Sequence, residues 1–303
     1  MKQLVILSGK GGTGKTSVAA AFAHLACEGP SPLRAAALAD ADVDAANLEL
    51  VLEPHMLEQH EFMGGSKASL DTAKCEGCGV CAQVCRFDAV QVRDGQYSID
   101  TVACDGCAAC VYQCPTQAIH MEPQLAGHWF RSDCRYGPLF HAALRPAHEN
   151  SGKLVTLVKQ QARLMGLDGD YQAVIVDGPP GIGCPVISAA SGADLAVIVA
   201  EPTAAGIHDM RRALETTAHF RVKSLVCINK ADVYPAGAEQ IEAYCRVHGI
   251  EMVGRIPFDA TVTDAMVHGE PVTAYRPDAP ASRAMRDIWL QVATHLNHRE
   301  SKT

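Results

Sequence analysis

Gly9-Lys10-Gly11-Gly12-Thr13-Gly14-Lys15-Thr16 stands directly after the apolar run Leu4-Val5-Ile6-Leu7 and before Ser17-Val18-Ala19-Ala20-Ala21-Phe22-Ala23. The order is strand, phosphate-binding loop, helix. Glycines let backbone N–H groups curl round phosphate oxygens, Lys15 adds a point charge at the β- and γ-phosphates, and the Thr16 hydroxyl can ligate Mg²⁺. The context of strand before and helix after is the one this motif requires. Residues Gly9 to Ser17 are therefore the first candidate nucleotide-binding set.

The rest of the composition bounds what such a chain can be. With 303 residues, 48% of them hydrophobic, it can bury a sizeable core as one large domain, alone or with a small module. A formal charge of −8 argues against a nucleic-acid surface spread over the protein, since phosphate neutralisation needs clustered Lys and Arg. No apolar run approaches the roughly 18 residues that span a bilayer, and the chain enters a strand at once without a signal-peptide pattern. A cytoplasmic protein without a membrane span is expected. Eight of the 13 cysteines fall in two tight metal-type runs, which fits a reducing compartment.

Lys10 narrows the class. Placed before the Gly11-Gly12 pair, it makes the loop resemble the deviant K-G-G-x-G-K-T signature of the MinD/ParA/Mrp and nitrogenase iron protein class. In that class the extra lysine reaches the nucleotide of the partner subunit. The resemblance therefore implies an ATP-dependent dimer, of two identical chains or with a paralogous ATPase, with ATP/ADP and Mg²⁺ as ligands.

After the first helix, Leu33 to Leu38 reads as a second strand, followed by Asp40-Ala41-Asp42-Val43-Asp44. Acids at the carboxyl end of a parallel strand lie where open α/β sheets place ligands, so Asp40 and Asp42 are candidates for Mg²⁺ or for the attacking water. The stretch looks like the D-x-D switch of MinD-type ATPases, whose second Asp corresponds to Asp42 and is tied to hydrolysis. Ala46 stands where insert-bearing relatives have Pro.

Between about Ser69 and Pro123 the character changes. Cys75-x2-Cys78-x2-Cys81-x3-Cys85 is followed by Cys104-x2-Cys107-x2-Cys110-x3-Cys114-Pro115. Each run has the bacterial ferredoxin signature, in which three cysteines hold one [4Fe–4S] cluster and the fourth crosses to the other. On that signature, cluster 1 takes Cys75, Cys78, Cys81 and Cys114, and cluster 2 takes Cys104, Cys107, Cys110 and Cys85. Zinc is the rival metal, because paired C-x2-C units also build tetrahedral sites; two full four-cysteine runs argue against it. Between the runs there is room for a hairpin of Val90-Gln91-Val92 with Tyr97-Ser98-Ile99. Arg86 replaces the usual Pro after the fourth cysteine and puts a positive charge beside that cluster. The domain reading is thus 1–68 for the first part of an ATPase domain, 69–123 for an inserted ferredoxin-like module, and 124–303 for the second part.

From Gln124 to Asn150 the pattern points to an irregular or hairpin connection, after which Ser151 caps a helix. Ala173-Val174-Ile175-Val176-Asp177-Gly178 is a buried strand ending in an acid and a glycine, the Walker B and switch II pattern, with Asp177 holding the Mg²⁺ shell through a water and Gly178 beside the γ-phosphate. Leu195–Val199 and Ser224–Ile228 are further apolar runs, as parallel strands covered on both faces require. The second ends in Asn229-Lys230-Ala231-Asp232. The resemblance implies that Asn229 and Lys230, with Pro257 of Ile256-Pro257-Phe258-Asp259, serve the base. The terminal helix, about Ala281 to Leu296, carries Met285, Ile288, Trp289, Val292 and Leu296 on one face and no basic stripe, so it is expected to dock on the sheet.

The motifs resemble a MinD/Mrp-family P-loop ATPase with a two-[4Fe–4S] ferredoxin insert. That implies an α/β fold, a mostly parallel sheet with helices on both faces and a small α+β module. The catalytic set is Lys10, Lys15, Asp40, Asp42 and Asp177. Three functions follow from the resemblance: ATP-gated electron transfer to a redox partner, delivery of iron–sulfur clusters as in Mrp-type carriers, or MinD-like positioning with structural clusters. Cys184, just past the switch II turn, is a further candidate, with Cys134, for a metal shared across a dimer.

Overall fold

The computed structural model describes residues 1–28, 35–145, 151–169 and 171–297. The strands are β1 (Lys2–Ser8), β2 (Ala36–Asp40), β3 (His55–Leu70), β4 (Val90–Arg93), β5 (Gln96–Ile99), β6 (Ile119–Cys134), β7 (Gly137–Leu144), β8 (Ala173–Pro180), β9 (Leu195–Ala200), β10 (Lys223–Asn229) and β11 (Glu251–Ile256). The helices are α1 (Lys15–Cys27), α2 (Leu48–Leu52), α3 (Val80–Val84), α4 (Ala109–Gln113), α5 (Ser151–Asp168), α6 (Cys184–Ala190), α7 (Ala204–His219), α8 (Pro235–Val247), α9 (Thr261–Val267), α10 (Val272–Tyr275) and α11 (Pro280–Asn297).

Nine strands form one sheet in the order β11-β10-β9-β1-β8-β2-β7-β6-β3. Every ladder from β11 to β7 is parallel. Both faces of β1 are buried: Leu4 and Ile6 join a core with α1 and α11, while Val5 and Leu7 are equally buried on the opposite face. This is why these strands read as continuous apolar runs instead of alternating ones. The apolar face of α11 is buried as expected, and Trp289 packs against Phe22 of α1 with ring centroids 5.1 Å apart. Among the described residues, no helix is long and apolar enough to cross a membrane.

Two boundaries differ from the sequence reading. The second strand begins at Ala36 and takes in Asp40 as its last residue; Leu33 lies outside the described residues. Ser151 is already within α5, and Asn150, the position before it, is likewise outside them. Of the irregular or hairpin connection expected over 124–150, the described part is a hairpin, β6 and β7 joined across Arg135 and Tyr136, while 146–150 lie outside the described residues.

The described residues fall into two compact units. The larger takes in 1–28, 35–60, 128–144, 151–169 and 171–297, and the smaller 61–127 with Arg145. In the smaller unit β4 and β5 pair antiparallel across Asp94-Gly95, both left-handed at φ 50° and 78°, the chemistry a two-residue hairpin turn demands. A small core of Ala68, Cys81, Ala89, Cys104 and Ile119 holds it together.

Candidate functional site

Three parallel strands end side by side. β1 runs into the glycine loop, and Asp177 of β8 pairs in register with Asp40 of β2 on one side and Ile6 of β1 on the other. The crevice outside the carboxyl ends of such strands is where α/β sheets take ligands. Gly12 and Gly14 are left-handed at φ 76° and 91°, and added Cβ atoms at Gly11 and Gly12 would meet nothing within 4 Å. The loop therefore presents bare backbone at those two positions. Lys15 is buried at the start of α1, where the helix dipole adds to its charge.

Asp177 is 1% exposed, and among the described residues neither carboxylate oxygen meets a donor in full hydrogen-bond geometry, although the Thr16 hydroxyl lies close enough to pull on it. Burial pushes its pKa up to about 6, against the pull of the Lys15 charge and the nearby Thr16 hydroxyl. A buried carboxylate with both oxygens unspent, beside a hydroxyl and an ammonium, is the donor set a Mg²⁺-nucleotide fits.

Asp40 is also fully buried, but its oxygens are committed. Oδ1 accepts from the Asp42 N–H at 3.0 Å, and Oδ2 from the Asn47 and Leu48 N–H groups at 3.1 and 2.9 Å. It shapes the loop and the start of α2, and so positions Asp42, instead of facing a ligand itself. Burial and the neighbouring Asp177 charge push its pKa well above the usual carboxylate range. Asp42 is half-buried, and burial raises its pKa while Lys15 opposes.

Lys10 and Lys230 share one acid that the sequence reading missed. Glu201, directly after β9, receives Lys10 Nζ at 2.8 Å and Lys230 Nζ at 2.7 Å, and Lys230 also donates to the Gly12 carbonyl at 3.2 Å. Burial would push the Glu201 pKa up; the hydrogen bonds from the two lysines hold it below its ordinary value. Its signal in the sequence was that of Asp177, an acid ending an apolar strand.

Asn229 braces the loop, Nδ2 donating to the Thr13 carbonyl at 2.7 Å, and a Cβ on Gly14 would lie 2.4 Å from that nitrogen. Asp232 accepts from the Phe258 N–H at 2.6 Å, which fixes the segment carrying Pro257. Ser17 donates to Met266 Sδ at 3.6 Å. Gly178 is explained by packing, since a Cβ there would meet the Ile6 carbonyl oxygen at 2.6 Å.

Lys159 is a second residue the sequence reading passed over. It lies in the apolar stripe of α5 and donates to the carbonyls of Ser188, Ala189 and Ser191 at 2.6 to 2.8 Å, capping the end of α6. Burial lowers its pKa to about 8.

The cysteines are brought together in crossed sets. One cavity of the smaller unit is lined by Cys75, Cys78, Cys81 and Cys114, and another by Cys85, Cys104, Cys107 and Cys110. Among the described residues no three His, Cys, Asp or Glu side chains stand close enough to share one metal ion. Four thiols round each cavity are the donor set that an iron–sulfur cluster would take. Cys134 and Cys184 do not meet within the chain. The Cys134 thiol donates to Gly137, which packs on Ala36 at the amino end of β2, whereas Cys184 follows the carboxyl end of β8.

Residues 4–272 match the family model of the CobQ/CobB/MinD/ParA nucleotide binding domain. The chain belongs to this family. An uncharacterized protein of Methanocaldococcus jannaschii is 34% identical over 230 residues, 75% of this chain and 78% of its own length. Iron-sulfur cluster carrier proteins of Aquifex aeolicus and Pyrococcus furiosus are each 25% identical, over 40% and 48% of this chain and only 36% and 53% of their own lengths. Among solved structures, the septum site-determining protein MinD of Pyrococcus horikoshii, complexed with Mg-ADP, superposes with a TM-score of 0.58 at 18% identity, covering 96% of this chain and 95% of that one. The MinC:MinD complex of Aquifex aeolicus gives 0.58 at 20%, covering 97% and 96%. At these identities the structures establish the fold of this MinD/ParA-family ATPase.

Proposed function

We propose that the protein binds and hydrolyses ATP as a dimer and uses nucleotide state to gate electron transfer through two [4Fe–4S] clusters. The observation that carries this reading is the crossed placement of the eight cysteines, four round each of two cavities, in a chain whose other unit is a MinD/ParA nucleotide domain. Lys15 and the glycine loop hold the phosphates, Thr16 and Asp177 the Mg²⁺, and Asp42, positioned by Asp40, serves hydrolysis. Asn229, Lys230 and Pro257 frame the base side. The clusters supply one-electron chemistry, and the thiolates of the two sets are their ligands. The partner is a redox protein, the dimer is homomeric or formed with a paralogue, and the cytoplasm suits thirteen cysteines of which none is in a disulfide. A second reading, delivery of clusters, is favoured by the exposure of Cys78 and Cys107 and by the names of the carrier relatives.

Iron analysis of anaerobically purified protein tests the reading, with about eight irons per chain expected from two four-iron clusters. Iron near zero with stoichiometric zinc would overturn it. The lysines give a separate test. Lys15→Ala is expected to abolish nucleotide binding. Lys10→Ala should keep binding but lose the dimer that a non-hydrolysable ATP analogue induces, because in the free chain Lys10 is held by Glu201 and must leave it to act in trans. Sedimentation decides it, and a Lys10→Ala protein that still dimerises refutes the trans role.

A further inference from the structure

The two cysteine runs are halves of one 29-residue repeat, Leu70–Val92 against Ile99–Met121, and the backbone keeps the correspondence closely. Gly77 and Gly106 sit at φ 68° and 76°, Gly79 and Ala108 at 77° and 60°, Asp88 and Gln117 at 51° and 54°. The Ala89 N–H donates to Cys85 Sγ at 3.4 Å and the Ala118 N–H to Cys114 Sγ at 3.3 Å. Each cavity has one acid in its lining, Glu76 in one and Asp105 in the other. Two sites built so alike should hold their clusters at similar potentials unless something outside the repeat separates them.

Lys67 lies outside the repeat and breaks the symmetry. On β3 and half-buried, it directs its ammonium to the backbone carbonyl of Cys104, the first cysteine of the second set. No corresponding contact to Cys75 is formed by any described residue. The other differences across the repeat are exposed side chains, a neutral hydroxyl and an acid already paired. Lys74, opposite Ala103, is exposed and turned to Asp71 at 3.2 Å. Arg86 and Asp88, opposite Pro115 and Gln117, are exposed and of opposite sign. Thr116, opposite Phe87, offers Cys114 Sγ only a neutral hydroxyl at 3.6 Å. Glu122 shares a cavity wall with Lys67 but pairs with His120 at 3.0 Å.

Resting on the cluster reading above, we infer that Lys67 is a positioning residue that holds the reduction potential of the cluster bound by Cys85, Cys104, Cys107 and Cys110 above that of its twin. A fixed positive charge on a ligand's backbone stabilises the reduced, more negative form, and a half-buried one is screened less than a surface lysine. The electron gained by the module then resides on the second cluster.

Potentiometric titration followed by electron paramagnetic resonance tests this in the full-length protein. Wild type should show two separate midpoints. Lys67→Gln, which keeps an N–H donor and drops the charge, should retain its iron and lower one midpoint by about tenfold in reduction equilibrium, or 59 mV for one electron. Lys67→Arg should keep the wild-type separation, and Lys74→Gln should move neither. Two coincident midpoints in wild type, or an unchanged separation in Lys67→Gln with full iron, would overturn the inference while leaving the cluster reading intact. Wild-type protein without iron would fail the cluster reading itself.

Discussion

Asp177→Asn is expected to make the nucleotide-free protein more stable and the enzyme inactive. Burial outweighs the pull of Lys15 and Thr16 on this carboxyl, and its pKa is pushed up to about 6 against an ordinary 3.8. A raised carboxyl pKa means that the folded state holds the proton more tightly than the unfolded chain. The cost of ionising it is thus absent below about pH 4, grows between pH 4 and 6, and is complete above 6. Removing the charge should therefore stabilise the protein at pH 8 by on the order of 2 kcal/mol, an advantage that shrinks as pH falls through 6. Urea unfolding at pH 5 and pH 8 in the presence of a chelator reads it. The same substitution takes away the Mg²⁺ acid, and ATP hydrolysis should fall at least about a hundredfold. A variant less stable than wild type at pH 8 would show that Asp177 serves the fold and not the ion.

Cys114→Ser is expected to cost the cluster of the other run. Cys114 lines the cavity of Cys75, Cys78 and Cys81, so its loss should leave about four irons per chain, bound by the second set. Adding Cys75→Ser should then remove no more iron, and adding Cys104→Ser should remove the rest. The reverse pattern would mean that each run holds its own cluster and that the crossing is wrong.

The nucleotide fold was legible because its signals are local. A glycine loop after an apolar strand, an acid at the end of another, and strands apolar throughout are properties of short stretches. The two sixteen-residue strands were not legible for the opposite reason. In β3 most side chains from His55 to Glu61 are exposed at a sheet edge, so the strand is held by backbone ladder bonds and shows no apolar alternation. Glu201 and Lys67 were missed because each acts on a residue distant in sequence, Lys10 in one case and Cys104 in the other. Asp40 illustrates a third case: its position at the end of β2 was readable, but the three backbone N–H groups that occupy it were not. The 29-residue repeat, by contrast, lay in the sequence in full, and it is what makes the asymmetry at Cys104 visible.

The central claim is that nucleotide state and cluster redox state are coupled in one molecule. Coupling between two bound states is reciprocal, so any shift of cluster potential by nucleotide must appear as an equal factor in nucleotide affinity between the oxidised and reduced protein. The direct measurement is the dissociation constant of a non-hydrolysable Mg-ATP analogue, taken anaerobically on protein with its clusters oxidised and again with them reduced. The account predicts affinities that differ severalfold, on the order of 1 kcal/mol of coupling. Equal affinities in protein carrying its full complement of iron would contradict it.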